Sequence, residues 1–302
     1  MPPALLFLFL FLLGIAAGSF LNVCILRYNP DERIFLWKKL KGRSRCMHCR
    51  KTLSWTELVP LLSFAVQRGK CKTCKKRLTV QYPLVELAGG AVFVGVPFFL
   101  NSFFSMHTAA FAAFAVPLWY YALVGLWILA FLLLIAATVI DVRHLVIPDA
   151  LNIGLAIIGI GITAVVATHP DAISVFRFSF LRHLSLLFSP WENPVVLHAV
   201  GAVAGSAVFF LLSALSRGRA MGFGDVKLAF GAGLILGWPD IAFAVFLSFI
   251  LGGLWGLGLI VMGRKTMRDK VPFAPFFVLA FAATVFFGFD MLSGYFRLFN
   301  IW

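Results

Sequence analysis

Four cysteines stand in two matching pairs, Cys46-Met47-His48-Cys49 and Cys71-Lys72-Thr73-Cys74, with 21 residues between them. A CxxC pair turns two sulfurs toward one point, and two such pairs supply the four ligands of a tetrahedral zinc ion. No ligand position is left for a water, so the predicted role of Cys46, Cys49, Cys71 and Cys74 is structural. Disulfides are the competing chemistry, but a cytosolic segment is kept reduced, and the surrounding Lys and Arg residues favour thiolates. His48 lies inside the first pair and is read as a solvated side chain.

Two aspartates form the second candidate. Asp141 closes an apolar run in Ile140-Asp141-Val142-Arg143-His144, and Asp225 lies in Gly222-Phe223-Gly224-Asp225-Val226-Lys227. Ionisable groups at the ends of lipid-spanning segments are costly to hold there and are functional candidates for that reason. Two carboxylates brought together share a proton, so one can activate water while the other protonates a leaving amine. Gly222 and Gly224 would leave room for a substrate beside Asp225. Each aspartate also has a plain reading, Asp141 as a helix end and Asp225 as a solvated residue in a glycine-rich turn. Asp149, following Ile147-Pro148, is expected to cap a helix N-terminus.

The elements that must hold these groups are apolar. The chain is 61% hydrophobic and only 13% charged, a balance that no ordinary soluble domain has. After a first apolar stretch, Pro3 to Leu26, runs near 84–100, 112–140, 150–168, 195–215, 226–238, 241–262 and 272–289 predict about eight transmembrane helices. The fold class expected is an all-α polytopic membrane protein with a small zinc-ribbon-like loop domain. Residues 1–26 form the first anchor, 27–83 the loop domain and 84–302 the helical domain that carries the aspartates.

Charge orients this arrangement. The formal net charge is +14, and 15 of the 26 Lys and Arg residues fall between Arg27 and Arg77. The first apolar run has no charge before it, which argues for a retained anchor with its N-terminus outside. Threading the remaining runs leaves only Arg177, Arg182 and Arg297 on the outer side, as the positive-inside rule requires of a cytosolic loop. Both aspartates then lie at the cytosolic side. Anionic lipid head groups are the expected partner of the basic loop, and nucleic acid is not expected. The segment from His169 to Pro194 is a long polar-aromatic insert.

Glycines at 231, 233 and 237, and at 252 and 256, suggest close helix approach and not a nucleotide loop. Two other functions fit parts of the pattern. A transporter or adaptor with a zinc-ribbon domain would use the aspartates as a proton relay. A membrane-tethered nucleic-acid binder would show salt-sensitive binding through the loop.

At the motif level the chain resembles the bacterial prepilin peptidases, within the GxGD intramembrane aspartic proteases. Gly222-x-Gly224-Asp225 resembles the GxGD signature, continued to Lys227 as a GxGDxK box. Gly18-Ser19-Phe20-Leu21-Asn22-Val23, Ser44-Arg45-Cys46, Pro60-Leu61-Leu62-Ser63, Arg68-Gly69-Lys70-Cys71 and Tyr82-Pro83-Leu84-Val85-Glu86 resemble the family's N-terminal half. Asp141 through Ile147-Pro148-Asp149, and Pro272-Phe273-Ala274-Pro275-Phe276, resemble its catalytic half. The resemblance implies a bifunctional enzyme of the bacterial inner membrane. It would cut the basic leader from type IV prepilins and type II pseudopilins, then N-methylate the new terminus with S-adenosylmethionine. Asp141 and Asp225 would be catalytic, with Gly222, Gly224, Asp149 and Lys227 in support. The acids available to meet a basic leader are Asp31, Glu32, Glu57 and Asp149.

Overall fold

A backbone in lipid must satisfy its own hydrogen bonds, so apolar runs of this length fold as helices. The computed structural model describes residues 3–30, 42–105, 117–169, 179–189, 191–218, 221–266 and 269–299. Asp31 and Glu32 lie outside them. Among the described residues there are helices, turns and two isolated bridges, with no strand. The chain divides into two compact units, Met1–Asn101 and Ser102–Trp302.

The first unit is built on α1 (Pro3–Leu26), the short α2 (Leu62–Val66) and α3 (Gln81–Ser105). Helices α1 and α3 meet backbone to backbone. A Cβ on Gly14 would stand 2.5 Å from the Gly89 carbonyl oxygen, and one on Gly18 would stand 2.6 Å from that of Val85. Only glycine permits so close a crossing. At its end Asn22 bridges the helices, donating to the Tyr82 carbonyl at 3.1 Å and accepting from Gln81 Nε2 at 3.2 Å.

The second unit contains α4 (Leu118–His144), α5 (Asp149–Thr168), α6 (Pro194–Leu215), α7 (Phe223–Leu236), α8 (Asp240–Val261) and α9 (Ala274–Leu298). Helix α7 packs against α5 and α6, and α9 packs against α8 and α4. A Cβ on Gly233 would lie 2.7 Å from Ala202 Cα, and one on Gly201 would lie 2.8 Å from the Gly233 carbonyl oxygen. The expected close approach is therefore real for Gly233. It does not extend to Gly256, whose Cβ position has nothing within 4 Å.

Eight of the described helices occupy the expected apolar runs, and seven are long and apolar enough to cross a membrane. The exception is α7, with 14 residues. Its end is set by Gly237, which takes φ +75° while its N–H donates to the Gly233 carbonyl. Helix α9 runs to Leu298 and not to 289 as hydropathy suggested. Helical hydrogen bonding continues through its more polar last turns, and hydropathy reports only the apolar part.

The polar-aromatic insert has a structural purpose in its described part. Ser179 Oγ donates to Asp240 Oδ1 at 2.5 Å, and the Phe180 N–H donates to Oδ2 at 2.8 Å. Asp240 is fully buried at the start of α8, so it ties this segment to the bundle. Phe180 then packs on Trp127, with ring centroids 5.3 Å apart. The apolar-run reading missed Asp240. Its signal was an acid directly after Trp238-Pro239, at a helix start.

Candidate functional site

The cysteine loop folds as two copies of one turn. In the first, the Cys46 N–H donates to Lys51 O and the Arg50 N–H to Cys46 O. In the second, the Cys71 N–H donates to Lys76 O and the Lys75 N–H to Cys71 O. Arg50 and Lys75 both take φ 57°, the left-handed conformation that reverses the chain after each second cysteine. Bridges Arg45–Thr52 and Lys70–Arg77 close the bases of the turns.

The turns face each other. The four sulfurs all lie within 4.8 Å of one another, and Cys46 Sγ stands 3.9 Å from Cys74 Sγ. Four sulfurs at about 2.3 Å from one zinc would be roughly 3.8 Å apart. The cluster thus has the size of a metal site, and none of the cysteines is disulfide-bonded. The N–H groups of Cys74 and Thr73 pull the Cys71 thiol down to about 6, while Cys74, despite the Lys76 N–H, is pushed up to about 11 by burial and the neighbouring sulfurs. His48 is exposed, as expected.

Glu57 is not available to a substrate leader, contrary to the sequence reading. Its side chain is 2% exposed, and its Oε2 accepts from the Ser54 N–H and hydroxyl, both at 2.9 Å. Glu86, also buried, accepts from the Leu61 N–H at 2.8 Å and anchors the loop to α3.

The aspartates are held by the second unit. Asp141 lies in the last turn of α4, where Leu145 ends the helix with φ 54° and donates its N–H to the Asp141 carbonyl at 2.8 Å. The side chain is buried, and its Oδ2 accepts from the Ala274 N–H at 3.0 Å. Ala274 is the first residue of α9, so the open N-terminus of one helix fixes a carboxylate at the end of another. Sequence reading placed Ala274 within a family box but gave it no role.

Asp225 occupies the first turn of α7, after the N-cap Gly222. Asp141 lies within electrostatic range of Asp225. Gly224 lies against Ile147, where a Cβ would stand 3.3 Å from the Ile147 Cβ. This lets α7 begin close to the α4–α5 turn. A Cβ on Gly222 would sit 3.6 Å from Asp225 Oδ2, so the glycine leaves one face of that carboxyl open.

Asp149 and Lys227 come together in a different way from that expected. Pro148 is the N-cap of α5, and Asp149 makes no capping hydrogen bond. Its Oδ1 instead accepts from Lys227 Nζ at 2.7 Å. The carboxylate has a choice between free N–H groups and an ammonium, and the full charge is the stronger partner. Beside this pair is a cavity of about 360 Å³. Its wall includes Asn152, whose buried amide oxygen and nitrogen have no hydrogen-bond partner.

Residues 12–100 match the Bacterial Peptidase A24 N-terminal domain, and residues 127–257 match the Type IV leader peptidase family. The chain is 31% identical to a prepilin leader peptidase/N-methyltransferase of Klebsiella pneumoniae, over 77% of this chain and 86% of the relative. It is 29% identical to the protein of that name from Bacillus subtilis (strain 168), over 96% and 97%. An Aeromonas hydrophila relative of the same name is 29% identical over 92% and 89%. No solved structure matches.

Proposed function

The chain belongs to the Type IV leader peptidase family, and from that premise we propose that Asp141 and Asp225 cut a prepilin leader while the cysteine-loop unit serves N-methylation. The protein is a multi-pass membrane enzyme, a prepilin leader peptidase and N-methyltransferase like its relatives. The observation that carries the residue assignment is the pairing of two carboxyl groups 84 positions apart, one of them fixed by Ala274.

In this mechanism the two carboxyls share one proton. The ionised one takes a proton from water as the water oxygen bonds to the scissile carbonyl carbon. The protonated one gives its proton to the leaving nitrogen as the carbon–nitrogen bond breaks. Product release leaves one proton on the pair, so the cycle closes. The Ala274 N–H holds Asp141 in one orientation throughout, Gly222 leaves room for the peptide beside Asp225, and Gly224 lets Ile147 pack close. Lys227 and Asp149 brace the start of α7 against that of α5.

The four cysteines fit zinc by donor type and spacing, and the ion would be structural. S-adenosylmethionine would supply the methyl group to the new terminal amine. The concentration of Lys and Arg in the loop supports a cytosolic orientation for it, with the N-terminus outside. The aspartate ends of α4 and α7 fall on the same side by alternation. The bacterial inner membrane, with anionic lipid against the basic loop, is the setting this implies. Type IV prepilins and type II pseudopilins are the substrates.

Mass spectrometry of a leader-bearing pilin peptide incubated with the purified protein and S-adenosylmethionine tests both activities. The expected products lack the leader and are 14 Da heavier at the new terminus, roughly the mass of one added CH₂. An uncut peptide would sink the proposal.

A further inference from the structure

The cavity of about 360 Å³ beside Lys227 and Asp149 lies away from the peptide-cutting site. At 100° per residue, its α7 residues Val226, Lys227 and Phe230 centre roughly 150° around the helix from Asp225. Helices α5 and α6 complete the wall with Asn152 and Ser206. Ile153 and Phe230, on the same wall, are 59% and 42% exposed, so the cavity opens on a lipid-facing surface.

One polar group in it is in want of a partner. Asn152 is 5% exposed, and neither its amide nitrogen nor its amide oxygen has a hydrogen-bond partner among the described residues. Within a membrane such an orphaned amide is costly. A ligand that relieves it must both accept and donate a hydrogen bond.

Polarity changes with depth. Asp149 is the first residue of α5, and Lys227 lies near the start of α7. Asn152 follows one turn along α5, and Ala156 lines the cavity a turn beyond that. Over about 10 Å the wall passes from charge through amide to hydrocarbon. A phospholipid has the same order, with a charged head group, then esters, then acyl chains.

Charge selects the head group. The cavity carries one carboxylate and one ammonium, Asp149 and Lys227, and an ammonium has donors beyond the single 2.7 Å bond between them. An anionic head group would add a net negative charge to this neutral wall, beside Asp149. Phosphatidylcholine offers a phosphate to Lys227 but has no N–H to give. Phosphatidylethanolamine offers the phosphate, an ammonium for Asp149 and Asn152 Oδ1, and an ester carbonyl for Asn152 Nδ2.

We propose that this cavity holds the head group and upper chains of one phosphatidylethanolamine molecule, with Asn152 as the buried anchor. The lipid ties α5, α6 and α7 together behind the turn that carries Asp225. Its binding depends on neither the cleavage nor the methylation assignment.

The test is native mass spectrometry of the full-length protein, titrated in detergent with phosphatidylethanolamine, phosphatidylcholine and phosphatidylglycerol of matched chains. Wild type should retain one phosphatidylethanolamine with a preference of about tenfold over phosphatidylcholine, the scale of one hydrogen bond to a charged group. Asn152→Leu keeps the side-chain size, removes both amide atoms and should erase that preference. Ala156→Phe fills the cavity from α5 and should reduce retention to the nonspecific background. Phosphatidylethanolamine should raise the melting temperature of wild type and of neither variant, and a cooperative melt shows that each variant is folded. Should Ala156→Phe fail to fold, Asn152→Leu decides alone. Equal retention of phosphatidylethanolamine and phosphatidylcholine by wild type would overturn the proposal, as would an unchanged preference in Asn152→Leu. Tighter retention of phosphatidylglycerol would overturn it in favour of an anionic-lipid site. No retention by wild type, with Asn152→Leu the more stable protein, would overturn it in favour of a cavity that holds water only.

Discussion

The cysteine cluster and the aspartate pair are built in opposite ways. Each cysteine turn closes within six residues, through hydrogen bonds between Cys46 and Lys51 or between Cys71 and Lys76. Asp141 is held by Ala274, 133 residues away, and lies within electrostatic range of Asp225 on a third helix. A local turn presents its ligands almost wherever it is placed, so a metal can hold a small, strongly charged loop that has little apolar surface of its own. A site made of three helix ends exists only if the helices pack correctly. Glycine therefore matters in the aspartate unit for contact, as at Gly233 and Gly201. In the cysteine turns the backbone instead reverses through left-handed Arg50 and Lys75.

The largest expected effect falls on the local site. Replacing Cys71 with Ser removes one of four ligands from a metal whose binding is worth on the order of 10 kcal/mol to a small loop. Metal content should drop to near zero and the segment 42–80 should become sensitive to protease. Wild-type protein purified without zinc would break the comparison at this end.

Asp225→Asn should abolish cleavage, lowering the rate by about a thousandfold or more, since an amide cannot exchange the shared proton. Zinc content should be unchanged, because the aspartate and cysteine sites belong to different units. A folded, membrane-inserted variant that still cleaves at a near-normal rate would falsify the pairing.

Ala274→Pro sharpens the point, because it removes the N–H that holds Asp141, at the added cost of a proline after Phe273, whose ψ of −31° it disfavours. A hydrogen bond to a charged group contributes about 1.5–3 kcal/mol, so cleavage should slow by roughly ten- to a hundredfold. Rates equal to wild type would show that the α9 terminus does not position the carboxyl.

The smallest effect is expected from Asp149→Asn. The Lys227–Asp149 pair is 40% and 65% exposed at its two side chains, and exposed pairs contribute about 0–1 kcal/mol. Cleavage kinetics within about fivefold of wild type would agree with a bracing role. A loss as deep as that of Asp225→Asn would make Asp149 a third catalytic acid.

The same contrast explains what could be read from the sequence. Cysteine spacing is a local code, and the turns follow it. Most helices were legible because apolar length in lipid leaves one outcome. The capping expectation for Asp149 failed because the residue type was visible and its competitor was not. Lys227 is 78 positions away in sequence and 2.7 Å away in space. Glu57 failed as a leader contact for a related reason. Its charge was plain in the sequence, but the turn that lets Ser54 cover it was not. The proposal that Asp141 works with Asp225 comes from their common place at helix ends, while the hydrogen bond from Ala274 needed the packed bundle.

Helix α7 has one further consequence, for the surrounding lipid. Fourteen residues make about 21 Å of helix, against roughly 30 Å of hydrocarbon in an ordinary bilayer. Hydrophobic mismatch of this kind is relieved by local thinning of the bilayer or by polar neighbours at the short helix's ends. Asp225 stands in the first turn of α7, so thinning at that end would be expected to bring water toward the carboxyl. Acyl-chain length should therefore act as a rheostat on one activity alone. In reconstituted bilayers of increasing thickness, leader cleavage should decline as the entry for water closes. Metal content of the cysteine unit should stay level across the same series.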